Sequence, residues 1–135
     1  MQNRTTPEII TSLQLNEIFV FGSNLAGRHG AGASKQALKF GAKYGIWLGI
    51  IGNTFSIPTK DKKLKVLPIN KISNLIYFFI NYVAKEKPHL TFLVTKIGCG
   101  LAGYTPNDIA PLFKNAIEVE NIHLPAEFWQ VLNKQ

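Results

Sequence analysis

The amino-acid sequence predicts an α/β domain in which helices cover both faces of one sheet. Strand patterns and helix patterns alternate along the chain, which is typical of this fold class. Residues 17–21 are almost continuously apolar, as in a strand buried on both faces of a largely parallel sheet. Two glycine-rich segments each follow a strand pattern and precede a helix pattern. The chain has 135 residues, so we expect one domain over residues 16–135 after a polar lead-in at residues 1–15.

In the first half of the chain, the strand at residues 17–21 is followed by a helix pattern from Gly32 to Gly41. Residues 53–58 alternate and stop at a proline, which predicts a second strand. The clearest helix covers residues 69–83, where apolar residues recur at spacings of three and four. Pro68 is expected in its first turn.

In the second half, residues 90–95 are rich in β-branched and aromatic side chains, which predicts a third strand. A helix over residues 106–116 follows, with Thr105 as its expected N-cap and Pro106 in its first turn. Residues 120–124 indicate a late strand, and residues 126–132 a short terminal helix.

Composition and charge narrow the class of protein. Fifteen Lys and Arg against eight Asp and Glu give a net charge of +7, which favours an anionic partner. A single cysteine excludes an internal disulfide framework and a cysteine-based zinc site, and we expect neither a metal nor a cofactor. The N-terminus carries no secretory pattern and no apolar run is long enough to cross a bilayer, so we expect a cytoplasmic protein without a membrane partner.

The two glycine-rich segments carry the functional signal. We call residues 22–33 the first glycine loop and residues 98–104 the second glycine loop. Glycines at a strand-to-helix turn let the backbone approach a ligand, and N–H groups at the start of the helix point at it. Two such turns in one small domain favour a ligand with two phosphates, or at least a strongly polar one. The expected ligand contacts are Gly22, Ser23, Asn24, Arg28, Gly30, Ala31, Gly32 and Ala33, then Ile97, Gly98, Cys99, Gly100, Leu101, Ala102, Gly103 and Tyr104.

The standard nucleotide signatures do not fit these loops. A P-loop would need Lys and Ser or Thr after the second glycine, but Arg28 and His29 follow Gly27. A dinucleotide fingerprint that starts at Gly30 would have Lys35 in the place of its third glycine.

The loops do resemble those of macro domains. Gly22-Ser23-Asn24 with its glycine-rich turn is similar to the first ligand loop of that family, typically Asn-Ala-Ala-Asn followed by glycines and a helix. The run Ile97-Gly98-Cys99-Gly100-Leu101 resembles a loop of the terminal ADP-ribose glycohydrolase branch, in which a Thr-Lys pair like Thr59-Lys60 ends an earlier strand. The resemblance covers residues 17–124. It implies a macro-domain-like three-layer α/β/α sandwich with a mixed, largely parallel sheet, binding ADP-ribose or a related nucleotide diphosphate.

The resemblance also bears on catalysis. The glycohydrolase branch has a catalytic Asp where this chain has Ala102, whereas a branch that acts on ADP-ribosylated DNA relies on a lysine at the position of Lys60. Lys60 as nucleophile and Asn24 as the group that orients the ribose would therefore hydrolyse an ADP-ribosyl linkage on a macromolecule. Each assignment has a plainer alternative: Lys60 as a surface lysine, and Asn24 as the brace of an Asx turn.

The other loop residues leave similar choices open. Arg28 and His29 either contact a phosphate or ribose, or lie at a solvated loop tip. Tyr104 either stacks on the distal ribose or packs against the domain, and Cys99 is expected to be a small packed residue rather than a nucleophile.

Two rival functions remain. One is a basic nucleic-acid-associated module that uses the lysines of residues 60–65. The other is a macro-fold interaction protein that binds no ligand.

Overall fold

The strand that contains residues 17–21 lies in the middle of the sheet, because the side chains of these residues are apolar on both faces. A computed structural model describes residues 3–29, 32–43 and 49–134, and six strands of that part form one sheet in the order β1-β6-β5-β2-β4-β3. All neighbours are parallel except β3 and β4, which are antiparallel. This confirms the α/β class and the mixed, largely parallel sheet. The strands are β1 (Thr5–Thr6), β2 (Glu17–Asn24), β3 (Gly49–Ile51), β4 (Thr54–Lys60), β5 (Thr91–Val94) and β6 (Ile122–Pro125).

The helices follow the apolar patterns of the sequence. Three of them continue into tighter or wider turns: 3-10 turns at Leu38–Phe40 and Ala110–Glu118, and a π-helical segment at Phe79–Ala84. Thr105 is the N-cap residue of its helix as expected, and Asp108 reaches back to accept from both the Thr105 backbone N–H and its hydroxyl. Pro68 is the N-cap rather than a first-turn residue. The helices are α1 (Gly32–Ala37), α2 (Ile69–Phe78), α3 (Pro106–Ile109) and α4 (Ala126–Asn133).

Two hydrophobic cores lie on opposite faces of the sheet. Alternate side chains of β2 serve both, because successive residues of a strand point to opposite faces. Ile18 and Val20 pack with α2, α4 and the 3-10 turn after α3. Phe19 and Phe21 pack with the α1 side of the sheet. Helices on both faces are compatible with a three-layer sandwich.

The N-terminal segment is more ordered than a lead-in. Its strand β1 pairs with β6, and the Arg4 guanidinium donates to the carbonyls of Ala116 (2.8 Å), Val119 (2.7 Å) and Ile122 (2.8 Å). Arg4 also lies over the ring of Trp129, whose indole N–H donates to the Arg4 carbonyl at 2.9 Å. This one side chain therefore ties the start of the chain to its C-terminal third.

The chain changes direction across the sheet between β2 and β5. The chain after β2 passes through α1 and the edge strand β3 to β4 on one side, whereas the connection after β5 leads to β6 on the other side. Ligands of open α/β sheets bind outside the carboxyl ends of strands at such a switch point. At this edge the first glycine loop starts at the end of β2, Lys60 is the last residue of β4, and the second glycine loop follows β5.

We expect Arg4→Ala to lower the free energy of unfolding by about 3 kcal/mol, because several carbonyls lose a charged donor at once. Urea denaturation followed by circular dichroism measures the change. Arg4→Lys keeps the charge but not the planar fork. Its free energy of unfolding is expected to lie between those of the wild type and Arg4→Ala. A loss below about 0.5 kcal/mol would show that the contacts of Arg4 contribute little.

Candidate functional site

A cleft of about 670 Å³ opens at the switch point, between the ends of β2, β4 and β5. Most of the residues predicted as ligand contacts lie along it, and so does Lys60. Its lining also includes residues that the sequence analysis did not assign, namely Ser34, Thr59, Leu64, Thr95 and Lys96. The predicted residues in the lining are Gly22, Ser23, Asn24, Arg28, Gly32, Ala33, Lys60, Ile97, Gly98, Cys99, Gly100, Leu101 and Ala102.

Of the four remaining predicted contacts, two fall outside the described part of the chain and two are described elsewhere. Gly30 and Ala31 lie outside the described residues. Gly103 and Tyr104 are described but do not line the cleft. The Tyr104 hydroxyl instead donates to the Leu67 carbonyl at 2.6 Å. This contact braces the second glycine loop against the segment after β4, as in the alternative in which Tyr104 packs against the domain.

The register of β2 and β4 sets Asn24 beside Lys60. The two residues pair at the parallel strand ends, after a β-bulge between Ser23 and Asn24. The Leu25 N–H donates to the Lys60 carbonyl at 2.9 Å, and the buried Thr59 hydroxyl donates to the Ser23 carbonyl at 3.3 Å. These bonds fix the backbone on which both side chains stand.

Asn24 closes the first glycine loop. Its side-chain oxygen accepts from the Arg28 N–H at 3.0 Å, and its amide N–H donates to the Arg28 carbonyl at 2.8 Å. The amide retains one further N–H and one lone pair. Asn24 therefore braces the loop, as in the alternative given for it in the sequence analysis. Its side chain can still form hydrogen bonds with one more partner.

His29 does not join the ligand-facing residues of the loop. Its ring is fully buried, lies edge-on to Phe21 at 5.7 Å, and its Nε2 is 2.7 Å from the Lys43 carbonyl. It anchors the loop to the α1-side core. Arg28, by contrast, is exposed and lines the cleft.

The second glycine loop presents three backbone donors. The N–H group of Cys99 donates to the Lys96 carbonyl and that of Gly103 to the Gly100 carbonyl, both at 3.0 Å, so these two donors are already paired. The N–H groups of Gly100, Leu101 and Ala102 donate to no described residue. Consecutive N–H groups of this kind form a concave anion site.

Gly98 makes this arrangement possible. It has φ of +75°, a conformation that side chains rarely adopt. A Cβ there would also lie 3.1 Å from Ile109. The loop therefore requires glycine at this position.

Residues 61–66 form an ordered turn over one side of the cleft. The Asp61 carboxylate accepts from the N–H groups of Lys63 (2.8 Å) and Lys65 (2.9 Å). The Lys65 hydrogen bond in particular holds the pKa of Asp61 below its ordinary value. Leu64, at φ of +64°, contributes to the cleft lining.

The cleft is cationic. Its lining among the described residues contains Arg28, Lys60 and Lys96 and no Asp or Glu. Lys96 bridges Glu8 at 3.0 Å and Glu127 at 2.6 Å, and the hydrogen bond to Glu127 is the main cause that raises the pKa of Lys96. Arg28 and Lys60 form no ion pair with a described residue. They are the cations that the cleft can offer to an anion.

Cys99 is unsuited to nucleophilic chemistry. It is half-buried, and its thiol donates to the Ile97 carbonyl at 3.5 Å. Burial first, and the nearby Asp108 carboxylate second, raise the pKa of the thiol to about 11.

Comparisons of the chain with protein-family models, with curated proteins and with solved structures find no match. The functional assignment therefore depends on the residues and geometry described above. Within the described ranges, no helix has the length and apolar character needed to cross a membrane.

We expect Cys99 to react with iodoacetamide at pH 8 roughly a hundredfold more slowly in the folded protein than in urea, because the folded thiol is almost entirely protonated. The rate is measured by mass spectrometry. In the folded protein it should continue to rise about tenfold per pH unit up to about pH 11, where the unfolded protein has already levelled off. Equal rates in the folded and unfolded protein would contradict the assignment of Cys99 as a packed, protonated residue.

Proposed function

We propose that the cleft binds ADP-ribose or a related nucleotide through its diphosphate. The observation that carries this proposal is the pairing of three backbone donors with two cations in one cleft. Gly100, Leu101 and Ala102 supply the N–H groups, and Arg28 and Lys60 supply the charges. Because the described lining contains no carboxylate, an incoming phosphate meets no repelling group there.

Size and apolar surface support a nucleotide rather than a bare phosphate. The cleft volume of about 670 Å³ falls within the range typical of small-molecule sites. Leu64 and Leu101 are exposed at 42% and 69% and both line the cleft. Apolar side chains at the rim can pack against the flat face of a nucleoside, which removes their apolar surface from water.

The macro-domain resemblance supports the same ligand. The two loops that carry it and the Thr59-Lys60 pair all contribute to one cleft, as a macro-domain ligand site would require. We infer that the chain is a macro-like domain.

We expect Gly100→Val to weaken ADP-ribose binding by at least about tenfold, or roughly 1.4 kcal/mol, as measured by calorimetry. A Cβ at Gly100 meets nothing within 4 Å, so the variant should fold. Its side chain would stand in front of the backbone donors and displace the phosphate.

Two controls separate the cleft from general effects of bulk and charge. Ser12→Val adds a similar side chain at an exposed position outside the cleft lining, and should bind normally. Charge reversal at Lys62, Lys63 and Lys65 should also leave ADP-ribose affinity nearly unchanged. Unaltered affinity of folded Gly100→Val would disprove this placement. Failure of ADP-ribose, ADP and NAD to bind the wild-type protein would favour the interaction protein that binds no ligand.

A second candidate function is hydrolysis of an ADP-ribosyl linkage, favoured by the presence of Lys60 in the cleft lining beside Asn24. In this mechanism the neutral Lys60 amine attacks C1 of the distal ribose. The bond from C1 to the modified group breaks, and the leaving group takes a proton from solvent. The C1–O4 bond then opens to an imine, as the nitrogen gives up its two protons, one to solvent and one to O4. Hydrolysis of the imine by water releases ADP-ribose and restores the amine.

We expect the wild-type protein to release ADP-ribose from ADP-ribosylated DNA or protein, and borohydride to trap an adduct on Lys60 that mass spectrometry detects. Lys60→Arg is the matched variant, because it keeps a cation in the cleft but cannot form the imine. It should retain ADP-ribose binding and lose release. Full activity of Lys60→Arg, or no release by the wild type from either substrate, would rule out the lysine mechanism and leave a binding protein.

A further inference from the structure

Three aromatic side chains of the helix α2 and its π-helical continuation face solvent. Tyr77, Phe78 and Tyr82 are exposed at 53%, 43% and 61%, and we call them the aromatic stripe. The rings of Phe78 and Tyr82 are stacked with centroids 5.8 Å apart, and Tyr77 meets Tyr82 edge-on at 6.5 Å. Contiguous exposed rings of this kind mark interaction surfaces.

The stripe is not the core-facing side of the helix. Ile72, Ile76 and Phe79 fill that side and are fully buried. Phe78, Tyr82 and Lys85 are exposed along one outer edge, and Lys71 is exposed about two helical turns before Phe78. The outer edge thus carries aromatic rings with a lysine towards each end.

Charge is concentrated in the same part of the chain. Residues 60–87 contain seven lysines and two acidic residues, so this segment accounts for most of the net charge of +7. Between Ile69 and Ala84 the one charged residue is Lys71. The carboxylate of the segment that is nearest to the rings in sequence is Glu86, four residues after Tyr82.

We propose that the aromatic stripe binds single-stranded nucleic acid, with bases stacked on Phe78 and Tyr82 and phosphates near Lys71 and Lys85. Stacking of bases on aromatic side chains beside cationic residues is the common mode of such binding. The 14 residue-to-residue steps from Lys71 to Lys85 correspond to about 20 Å of helix, a length suited to a few nucleotides.

Two other occupants fit the surface less well. A second copy of the chain would bring the same lysines and another net charge of +7 against this face. A lipid surface is bound by helices that insert aliphatic and aromatic side chains. Here the residues that share the outer side with the rings are polar, as Asn74 and Asn81 show, and the aliphatic side chains of Ile72 and Ile76 are buried.

The stripe is separate from the cleft. The helix α2 starts after β4, at the carboxyl edge of the sheet, and leads back towards the start of β5. Tyr77, Phe78 and Tyr82 are absent from the cleft lining. This proposal consequently does not depend on the proposed nucleotide function, and it uses different residues from a module built on the lysines of the 61–66 turn.

The test is fluorescence anisotropy of the full chain with labelled eight-nucleotide oligothymidylate and with an abasic strand of the same length and charge. We expect oligothymidylate to bind at least about fivefold more tightly than the abasic strand, because only the former can stack. Tyr82→Ala and Phe78→Ala should each weaken oligothymidylate binding by about fivefold or more, whereas Tyr82→Phe should bind like the wild type. Leu15→Ala removes a side chain that is 90% exposed on another part of the surface, and should change nothing.

Several results would overturn the proposal. One is equal affinity for the two strands, which would indicate purely electrostatic binding. Another is displacement of oligothymidylate by saturating ADP-ribose, which would place the strand in the cleft. A third is absence of oligothymidylate binding. In that case, binding of the wild type to anionic phospholipid vesicles, or its dimerisation in sedimentation, would identify the other occupant of the surface if Tyr82→Ala abolishes it.

Discussion

The burial of β2 on both faces is the constraint on which the rest of the structure depends. Ile18 and Val20 on one face and Phe19 and Phe21 on the other are at most 4% exposed, so the strand must have helices on both sides and a parallel partner along each edge. Parallel partners end at the same edge of the sheet. The segments after β2, β4 and β5 therefore converge, and a cleft forms between them.

The longer elements could be predicted because their own periodicity encodes them, as in the stripe Ile72, Ile76 and Phe79 of α2. Strands β1 and β3 were not predicted, since two or three residues are too few to show an alternation. The role of Arg4 was equally hidden. Its acceptors lie 112 to 118 residues away in sequence, and a local pattern contains no information about such contacts.

The candidate site was likewise predictable in part. Glycines at strand ends indicated which loops form the cleft, because glycine is the residue type that adopts positive φ without strain, as at Gly98. The direction of each side chain was not predictable, since contacts between loops decide it. Tyr104 turns towards Leu67 and His29 towards Lys43, and both acceptors are backbone carbonyls that give no sequence signal. Lys96 and Leu64 were missed for the same reason: their places in the lining follow from the folded loops.

The cationic character of the cleft follows from how the neighbouring carboxylates are used. Asp61 accepts from the amides of its own turn, Asp108 from the Thr105 cap, and Glu8 and Glu127 from Lys96. Hydrogen bonds from Lys65 and Lys96 respectively lower the pKa values of Asp61 and Glu127, so both stay ionised and keep these partners as the pH falls towards their ordinary pKa. Acids that are committed to holding loops in place do not neutralise Arg28 and Lys60. The same bonds that shape the cleft thereby leave its positive charge available to an anion.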